Sequence, residues 1–180
     1  NPTSEYGKNK LAAEEILESL ISENEDVSFA ALRYFNAAGA AIDGSMGENH
    51  NPETHIIPLA IKGAITGSEF NLYGIDYNTP DGTCIRDYIH VLDLVEAHVL
   101  ALDKIKKDRG GYYYNVGTGR GYSNREVLEM IEKISGKKIN ADQLIADPSK
   151  INSELGFSPK YSDLETIVES AWKWHSRSRG

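Results

Sequence analysis

Residues 27–40 read VSFAALRYFNAAGA, a short apolar and aromatic run that ends in a group of small residues. Within it, residues 27–35 (VSFAALRYF), bounded by Asn36 and Gly39, predict a short apolar strand. The preceding residues 11–21 repeat apolar side chains at helical spacing, which predicts a helix that begins near Ser4. Small residues at the end of a strand allow a ligand to approach the backbone, and they equally allow a helix to pack closely there. Both interpretations stay open from the sequence alone.

The rest of the chain continues to alternate between helical and strand patterns, which predicts an α/β fold. Residues 41–54 are rich in Gly, Asn and Pro and predict a long loop, of a length that often serves a function. Ser123, with Glu126 three residues later, predicts a capped helix start. Residues 117–121 (GTGRG) lack the spacing of a dinucleotide-binding turn and predict an ordinary turn. Further helices are predicted over residues 55–66, 92–105, 124–134, 149–155 and 164–177, and further strands over 70–73, 85–91 and 112–116.

The composition excludes several classes of protein. The 180 residues are 40% hydrophobic and 26% charged, with a net charge of −8, which is typical of a packed globular chain of one domain or slightly more. No apolar run approaches the roughly 18 residues of a membrane span, and the negative charge disfavours nucleic acid and anionic membranes as partners. The single cysteine, Cys84, excludes an internal disulfide and fits a reducing cytosol, so we predict a cytoplasmic protein.

Tyr6 and Lys10 are separated by one helical turn and therefore lie on one face of the first predicted helix. An ammonium group near a phenol stabilises the phenolate, so this pair is suited to acid–base chemistry at neutral pH. This spacing often occurs by chance, and a solvated helix face is its more common explanation. The pair alone does not decide between the two.

Two further groups of polar residues are candidates for binding. The guanidinium of Arg86 matches phosphate oxygens in a bidentate geometry, although an ion pair with Asp87 or Asp93 is the structural alternative. His50 and His55 alternate with Glu48 and Glu53 in the predicted loop, but the histidines lack metal-site spacing and the loop shows no supporting second layer of polar residues. We therefore predict no metal site.

Several segments together resemble a known family. They are residues 6–10 (YGKNK), 34–40 (YFNAAGA), 47–50 (GENH), 52–58 (PETHIIP), 74–91 (GIDYNTPDGTCIRDYIHV) and 114–123 (YNVGTGRGYS). In this order they resemble the extended short-chain dehydrogenase/reductase family and, within it, the 4-epimerases of UDP-hexoses; the segment 74–91 is the most specific. The resemblance implies part of a Rossmann-like NAD(P)-binding fold, with residues 1–40 as its tail. Residues 41–180 would form mainly the mixed α/β UDP-sugar-binding region, with some elements returning to the NAD-binding sheet.

The resemblance also implies an activity and a set of site residues. Tyr6 would take a proton from the sugar C4 hydroxyl while hydride passes to NAD, and Lys10 would stabilise the phenolate and bind the nicotinamide ribose. The 4-keto sugar would turn over and accept the hydride on its other face, which interconverts UDP-glucose and UDP-galactose. Phe35 would lie near the nicotinamide. The implied UDP-sugar contacts are Asn36, His55, Ile56, Asn71, Leu72, Tyr73 and Arg86, with Arg86 on the diphosphate.

Two departures from the family pattern limit what this chain is expected to do alone. The N-terminal Rossmann half of the family, which carries the glycine-rich phosphate turn, has no counterpart here, so NAD would lose its main pyrophosphate anchor. Between Lys138 and Asp142 the chain is also shorter than the family. We therefore expect the isolated chain to be incomplete or inactive, and the homodimer implied by the resemblance to be weaker. A UDP-sugar-binding fragment without catalysis, a dehydratase or decarboxylase of the same family, and a fragment without ligand affinity are the alternatives.

Overall fold

The computed structural model describes residues 2, 4–68, 77–137 and 149–177 of the chain. Within these ranges the fold alternates helices and short strands, as the sequence predicts. The helices are α1 (Glu5–Glu23), α2 (Ile56–Thr66), α3 (Val91–Lys107), α4 (Asn124–Ser135), α5 (Ser149–Leu155) and α6 (Leu164–Arg177). The strands are β1 (Phe29–Tyr34), β2 (Asn36–Ala38), β3 (Ile85–His90), β4 (Gly111–Val116) and β5 (Gly121–Ser123).

The strands form two small sheets. Strands β1 and β4 pair in parallel, with Phe29 opposite Gly111 and Tyr34 opposite Val116. In the second sheet β3 is central: it pairs in parallel with β2 and antiparallel with β5. The chain therefore passes from one sheet to the other at Phe35, between the end of β1 and the start of β2.

Most of the predicted elements are confirmed, with shifts of one or two residues at their ends. The predicted strand over residues 27–35 is shorter, and the three residues after Phe35 form a separate strand, β2. The predicted turn over residues 117–121 is followed at once by another short strand, β5. The predicted strand over residues 70–73 lies outside the described residues. Ser123 and Glu126 form the predicted capping box, which satisfies exposed N–H groups at the start of α4.

Two apolar clusters form the core. In the first, the apolar faces of α2, α4 and α6 pack together and cover Tyr88 and Tyr122 from the second sheet. In the second, α3 and α5 cover one face of the β1–β4 sheet, with Ile151 and Phe157 fully or almost fully buried. Helix α1 lies on the opposite face of that sheet and buries none of its own residues. None of the helices in the described ranges combines the length and the apolar character needed to cross a membrane.

A buried polar network centred on His90 joins α6 to the second sheet. The His90 Nδ1 accepts the backbone N–H of Leu92 at 3.1 Å, so the ring proton lies on Nε2, which faces the Ser170 Oγ at 3.0 Å. The Ser170 hydroxyl also accepts the N–H of Ala40 and donates to the carbonyl of Ile167. Every ring nitrogen is therefore satisfied with a neutral imidazole. Burial lowers the pKa of His90, although the carboxylates of Asp93 and Asp163 oppose this shift.

The lowered pKa of His90 predicts a loss of stability on mild acidification. Below pH 6.5 the unfolded chain binds a proton at His90 that the folded chain does not bind, so the free energy of unfolding falls as the pH decreases from 6.5 towards the folded pKa. The slope from this one residue reaches at most about 1.4 kcal/mol per pH unit. Urea unfolding measured between pH 7.5 and 5.5 tests this.

The His90→Asn variant is the control for that measurement. It should be less stable at pH 7.5 but should lose part of the pH dependence. The part that remains is assigned to His175, whose pKa burial also lowers. An unchanged slope in the His90→Asn variant would show that the network does not hold a neutral ring.

Candidate functional site

A cleft opens at the point where the chain passes between the two sheets. It has a volume of about 630 Å³ and lies at the carboxyl end of β1, where parallel α/β sheets commonly bind ligands. Phe35 and Asn36 form part of its wall, and the side chain of Phe35 is 40% exposed. The remaining lining residues are Tyr34, Ala37, Ala38, Gly39, Ala41, Met46, Gly47, Glu48, His50, His55, Val91, Leu92 and Val95.

A smaller cleft of about 50 Å³ continues from the first one towards α2 and α6. Asn36 and His55 line both clefts, and Ile56 and Tyr88 line only the smaller one. The Asn36 side chain is held in place because its Nδ2 donates a 2.9 Å hydrogen bond to the backbone carbonyl of Asp87. The structure thus brings together Phe35, Asn36, His55 and Ile56, four of the residues that the sequence analysis named.

Helix α1 runs antiparallel to β1, which determines where its first turns lie. Ile21 contacts the start of β4 at Gly111, whereas Glu14 accepts a 2.7 Å hydrogen bond from the Nε of Arg33, near the end of β1. Burial and the neighbouring Glu18 carboxylate raise the pKa of Tyr113 to about 12, which is consistent with the same alignment. The first turns of α1 therefore extend past the carboxyl end of β1.

Tyr6 and Lys10 lie on these first turns. At a rise of 1.5 Å per residue, Lys10 is about 6 Å and Tyr6 about 12 Å beyond Glu14, on the side of the sheet edge where Phe35 follows β1. The Lys10 Nζ lies 5.3 Å from the centre of the Tyr6 ring, so the two side chains are neighbours as predicted. Tyr6 is 72% exposed, and neither residue lines the two clefts described above.

Arg86 lies on β3, on the same strand face as Tyr88, because side chains alternate along a strand. Its positive charge acts on the Tyr88 hydroxyl, although burial is the larger effect and raises the pKa of Tyr88 overall. Within the described part of the chain, Arg86 forms no ion pair with Asp87 or Asp93. The described residues therefore do not show the ion pair that was the alternative to a phosphate-binding role for Arg86. Asn71, Leu72 and Tyr73, the other predicted contacts, lie outside the described residues.

The two interpretations of the small residues after β1 are resolved at Gly39. A Cβ atom on Gly39 would lie 2.5 Å from the His90 ring and 2.9 Å from the Ser170 hydroxyl, and the residue has a φ of +85°. Gly39 is therefore required by close packing of the sheet against α6. Ala37, by contrast, is exposed and lines the larger cleft, where its small side chain leaves space.

The loop before α2 brings four polar side chains together that the sequence analysis had considered and set aside. The Nδ1 atoms of His50 and His55 each lie 2.8 Å from the Glu48 Oε1, and the His55 Nδ1 also lies 3.1 Å from the Glu53 Oε1. Partial burial disfavours ionisation of Glu53, but the N–H groups of His55 and Thr54 and the His55 ring outweigh it, so its pKa lies below the usual value. The alternating pattern ExHxxExH was the available sequence signal.

The buried residue Asp87 fixes the position of groups next to the larger cleft. Asp87 is fully buried and accepts hydrogen bonds from the N–H of Thr118 at 2.9 Å, the Thr118 hydroxyl at 3.0 Å and the N–H of Gly119 at 2.9 Å. These bonds tie the turn after β4 to β3. The backbone carbonyl of the same residue holds Asn36, so one position fixes both the turn and a cleft residue.

Comparison with known proteins assigns the chain to a family. The model of the NAD dependent epimerase/dehydratase family matches residues 1–117. The chain belongs to this family. The resemblance to extended short-chain dehydrogenases and the α/β, Rossmann-like fold class are thereby confirmed.

Individual members of the NAD dependent epimerase/dehydratase family cover almost the whole chain. A UDP-glucose 4-epimerase of Lactobacillus helveticus is 42% identical over 186 residues, covering 97% of this chain and 56% of that protein. The crystal structure of UDP-glucose 4-epimerase from Brucella ovis in complex with NAD has a TM-score of 0.87 at 44% identity, covering 97% of this chain and 57% of that one.

A further structure adds a nucleotide. The UDP-glucose 4-epimerase from Bifidobacterium longum in complex with NAD+ and UDP has a TM-score of 0.87 at 35% identity, covering 98% of this chain and 57% of that one. The chain therefore spans little more than half the length of the family members it matches.

The role of Asp87 gives a prediction for stability. In the Asp87→Ala variant three buried or half-buried donors lose their acceptor, so we expect the free energy of unfolding to fall by about 2–4 kcal/mol. Urea unfolding at pH 7.5 measures this. Asp103→Ala removes an exposed carboxylate that pairs with Lys106, and it should change stability by less than about 0.5 kcal/mol. Equal effects of the two variants would contradict the assignment.

Proposed function

We propose that this chain carries the acid–base pair and most of the sugar-nucleotide site of an NAD-dependent UDP-hexose 4-epimerase, which interconverts UDP-glucose and UDP-galactose. The observation that carries the proposal is that two groups of residues lie toward the same edge of the β1–β4 sheet. The Tyr6–Lys10 pair extends past the end of β1, and the cleft lined by Phe35, Asn36 and His55 opens at that same end.

Tyr6 acts in this proposal as the base that takes the proton of the sugar C4 hydroxyl and later returns it. The Lys10 Nζ lies 5.3 Å from the centre of the Tyr6 ring, which places a positive charge beside the proposed base. The Tyr6 side chain is exposed and therefore accessible to a substrate. One tyrosine can serve both halves of the reaction because the proton that it takes is the proton that it gives back.

The residues present fit the nicotinamide end of NAD. Lys10 offers an ammonium group for ribose hydroxyls, and the half-exposed ring of Phe35 offers an apolar surface beside it. Bound NAD would supply the hydride acceptor, and then the hydride donor, at C4. The protein residues contribute orientation and proton transfer: Asn36, fixed by the Asp87 carbonyl, would hold the sugar, and the apolar wall from Val91 to Val95 would limit access of water.

Arg86 is proposed to bind the diphosphate of UDP and to neutralise part of its negative charge. A guanidinium that forms no ion pair with the neighbouring carboxylates of the described chain is available to a phosphate. His55 and Ile56 begin α2 beside the smaller cleft and would contact the nucleotide there. Asn71, Leu72 and Tyr73 remain proposed contacts on the strength of the resemblance alone.

The proposal also includes the oligomeric state and the cellular location of the complete enzyme. Helix α1 leaves Leu11, Ile16 and Leu20 exposed, and we propose that these apolar side chains take part in a homodimer of the complete enzyme. A cytoplasmic location fits the single, buried thiol of Cys84. The alternatives are a non-catalytic UDP-sugar-binding fragment and a dehydratase or decarboxylase. A dehydratase or a decarboxylase would act on dTDP-glucose or UDP-glucuronate in preference to UDP-galactose.

The first test is conversion of UDP-galactose to UDP-glucose by the 180-residue chain with added NAD. Whatever rate the wild-type chain shows, the Tyr6→Phe variant should lower it at least about a hundredfold, because general acid–base catalysis contributes about 10²–10⁴-fold. Tyr161→Phe, which alters an exposed tyrosine outside the clefts, is the matched control and should leave the rate unchanged. Conversion that persists in Tyr6→Phe would sink the proposed role.

The second test measures the nucleotide site without catalysis, so it remains informative if the chain alone does not turn over. Titration calorimetry with UDP should show that Arg86→Met weakens binding at least about tenfold, because charge-assisted hydrogen bonds contribute about 1.5–3 kcal/mol. Arg109→Met removes an exposed guanidinium that pairs with Asp26, and it should bind UDP like the wild type. Equal affinity in the Arg86 and Arg109 variants would exclude Arg86 from the site.

A further inference from the structure

We propose that Glu48, His50, Glu53 and His55 form a binding site for a transition-metal ion, with Zn²⁺ as the best-matched ion. The sequence analysis predicted no metal because the histidine spacing matches no common motif. The structure nevertheless brings one donor atom of each residue together, and all four atoms lie within 4.8 Å of one another. On a tetrahedral zinc ion with bonds of 2.0–2.2 Å, neighbouring donor atoms are about 3.4 Å apart. Three of the observed distances, at 2.8, 2.8 and 3.1 Å, are shorter than that value, and none exceeds 4.8 Å.

The donor atoms of the cluster already converge on His55. Its Nδ1 lies 2.8 Å from the Glu48 Oε1 and 3.1 Å from the Glu53 Oε1, so without a metal ion its one ring hydrogen would be shared between two acceptors. The same Glu48 oxygen also faces the Nδ1 of His50 at 2.8 Å. A metal ion accepts lone pairs from all four atoms at once and would replace these shared contacts.

The donor set determines the class of metal. Two imidazole nitrogens and two carboxylate oxygens suit zinc and the neighbouring transition metals, whereas Mg²⁺ and Ca²⁺ prefer sites made of oxygen atoms only. Two carboxylates and two neutral imidazoles also give the cluster a charge that a divalent cation neutralises. Both carboxylate side chains are largely shielded, with 26% and 11% exposure, while the imidazoles are more than half exposed and leave a path for entry.

The surrounding chain holds the four residues in place before any ion binds. The Trp174 indole N–H donates a 2.8 Å hydrogen bond to the Glu48 carbonyl, and a Cβ atom on Gly47 would lie 2.4 Å from the same indole. The Glu53 Oε1 accepts the N–H groups of Thr54 and His55 at 2.7 and 2.8 Å. A site that is organised in advance loses less conformational entropy on binding.

The test is a titration of the nucleotide-free chain with Zn²⁺, followed by calorimetry and by tryptophan fluorescence. We expect one ion per chain and a change in fluorescence, because Trp174 is bonded to the residue that supplies one ligand. Mg²⁺ should not compete. This test uses neither UDP nor NAD, so its failure is separate from any failure of the proposed epimerase function.

Variants assign the ion to the four residues. His50→Ala and His55→Ala should each weaken Zn²⁺ binding at least tenfold, since loss of even an outer-layer partner typically costs about 10–100-fold. Glu53→Gln keeps an oxygen that accepts the N–H groups of Thr54 and His55, so the variant should fold like the wild type. Because the amide carries no negative charge, its affinity for Zn²⁺ should nevertheless be lower than that of the wild type. His98→Ala removes a histidine on α3 and is the matched control, with unchanged affinity.

Three results would overturn the proposal. The first is no binding by the wild-type chain at micromolar free Zn²⁺. The second is equal affinity in His50→Ala, His55→Ala and wild type, with circular dichroism showing that the variants are folded. The third is equally tight binding of Mg²⁺, which would make the cluster an acidic surface without metal selectivity.

Discussion

The structure depends on parallel strand pairing on both sides of Phe35. Strand β1 pairs in parallel with β4, and β2, which begins one residue after Phe35, pairs in parallel with β3. Parallel strands end at the same edge of a sheet, so the connections that leave these ends have to gather at one place. The cleft, the first turns of α1 and the loop before α2 all lie at or near that edge. The fold thus creates the site by bringing strand ends together, before any particular side chain is considered.

Two buried side chains, the acidic Asp87 and the basic His90, stabilise this junction. The Asp87 carboxylate ties the turn after β4 to β3, which keeps the two sheets in register where no strand joins them. The neutral His90 ring ties α6 to the end of β3 through Ser170. Each group is fully satisfied by hydrogen bonds, which is the condition under which a buried polar group stabilises a fold. The apolar clusters supply most of the driving force for folding, and these two residues add specific hydrogen bonds between the elements.

The sequence predicted the long elements because their apolar periodicity is strong, and it predicted the start of α4 because Ser123 and Glu126 form a local motif. It did not predict β2 and β5, since three residues are too few to show a period and both strands form only through pairing with β3. The packing role of Gly39 depends on His90 and Ser170, which are distant in sequence. The Glu48–His55 cluster was visible as a pattern, but whether its side chains converge depends on a loop conformation that periodicity does not encode.

Helix α1 has a consequence for the dynamics of the site. It is a 19-residue helix without a single buried residue, and its described polar contacts to the sheet, such as that between Glu14 and Arg33, are on the surface. The free energy needed to detach it locally is therefore much smaller than that needed to open α2, α4 or α6, and its amide hydrogens are exposed to exchange accordingly. Tyr6 and Lys10 lie on this weakly held helix, whereas Asn36 and Ile56 lie on elements that pack into the apolar core. We therefore expect the acid–base pair to fluctuate more than the wall of the cleft.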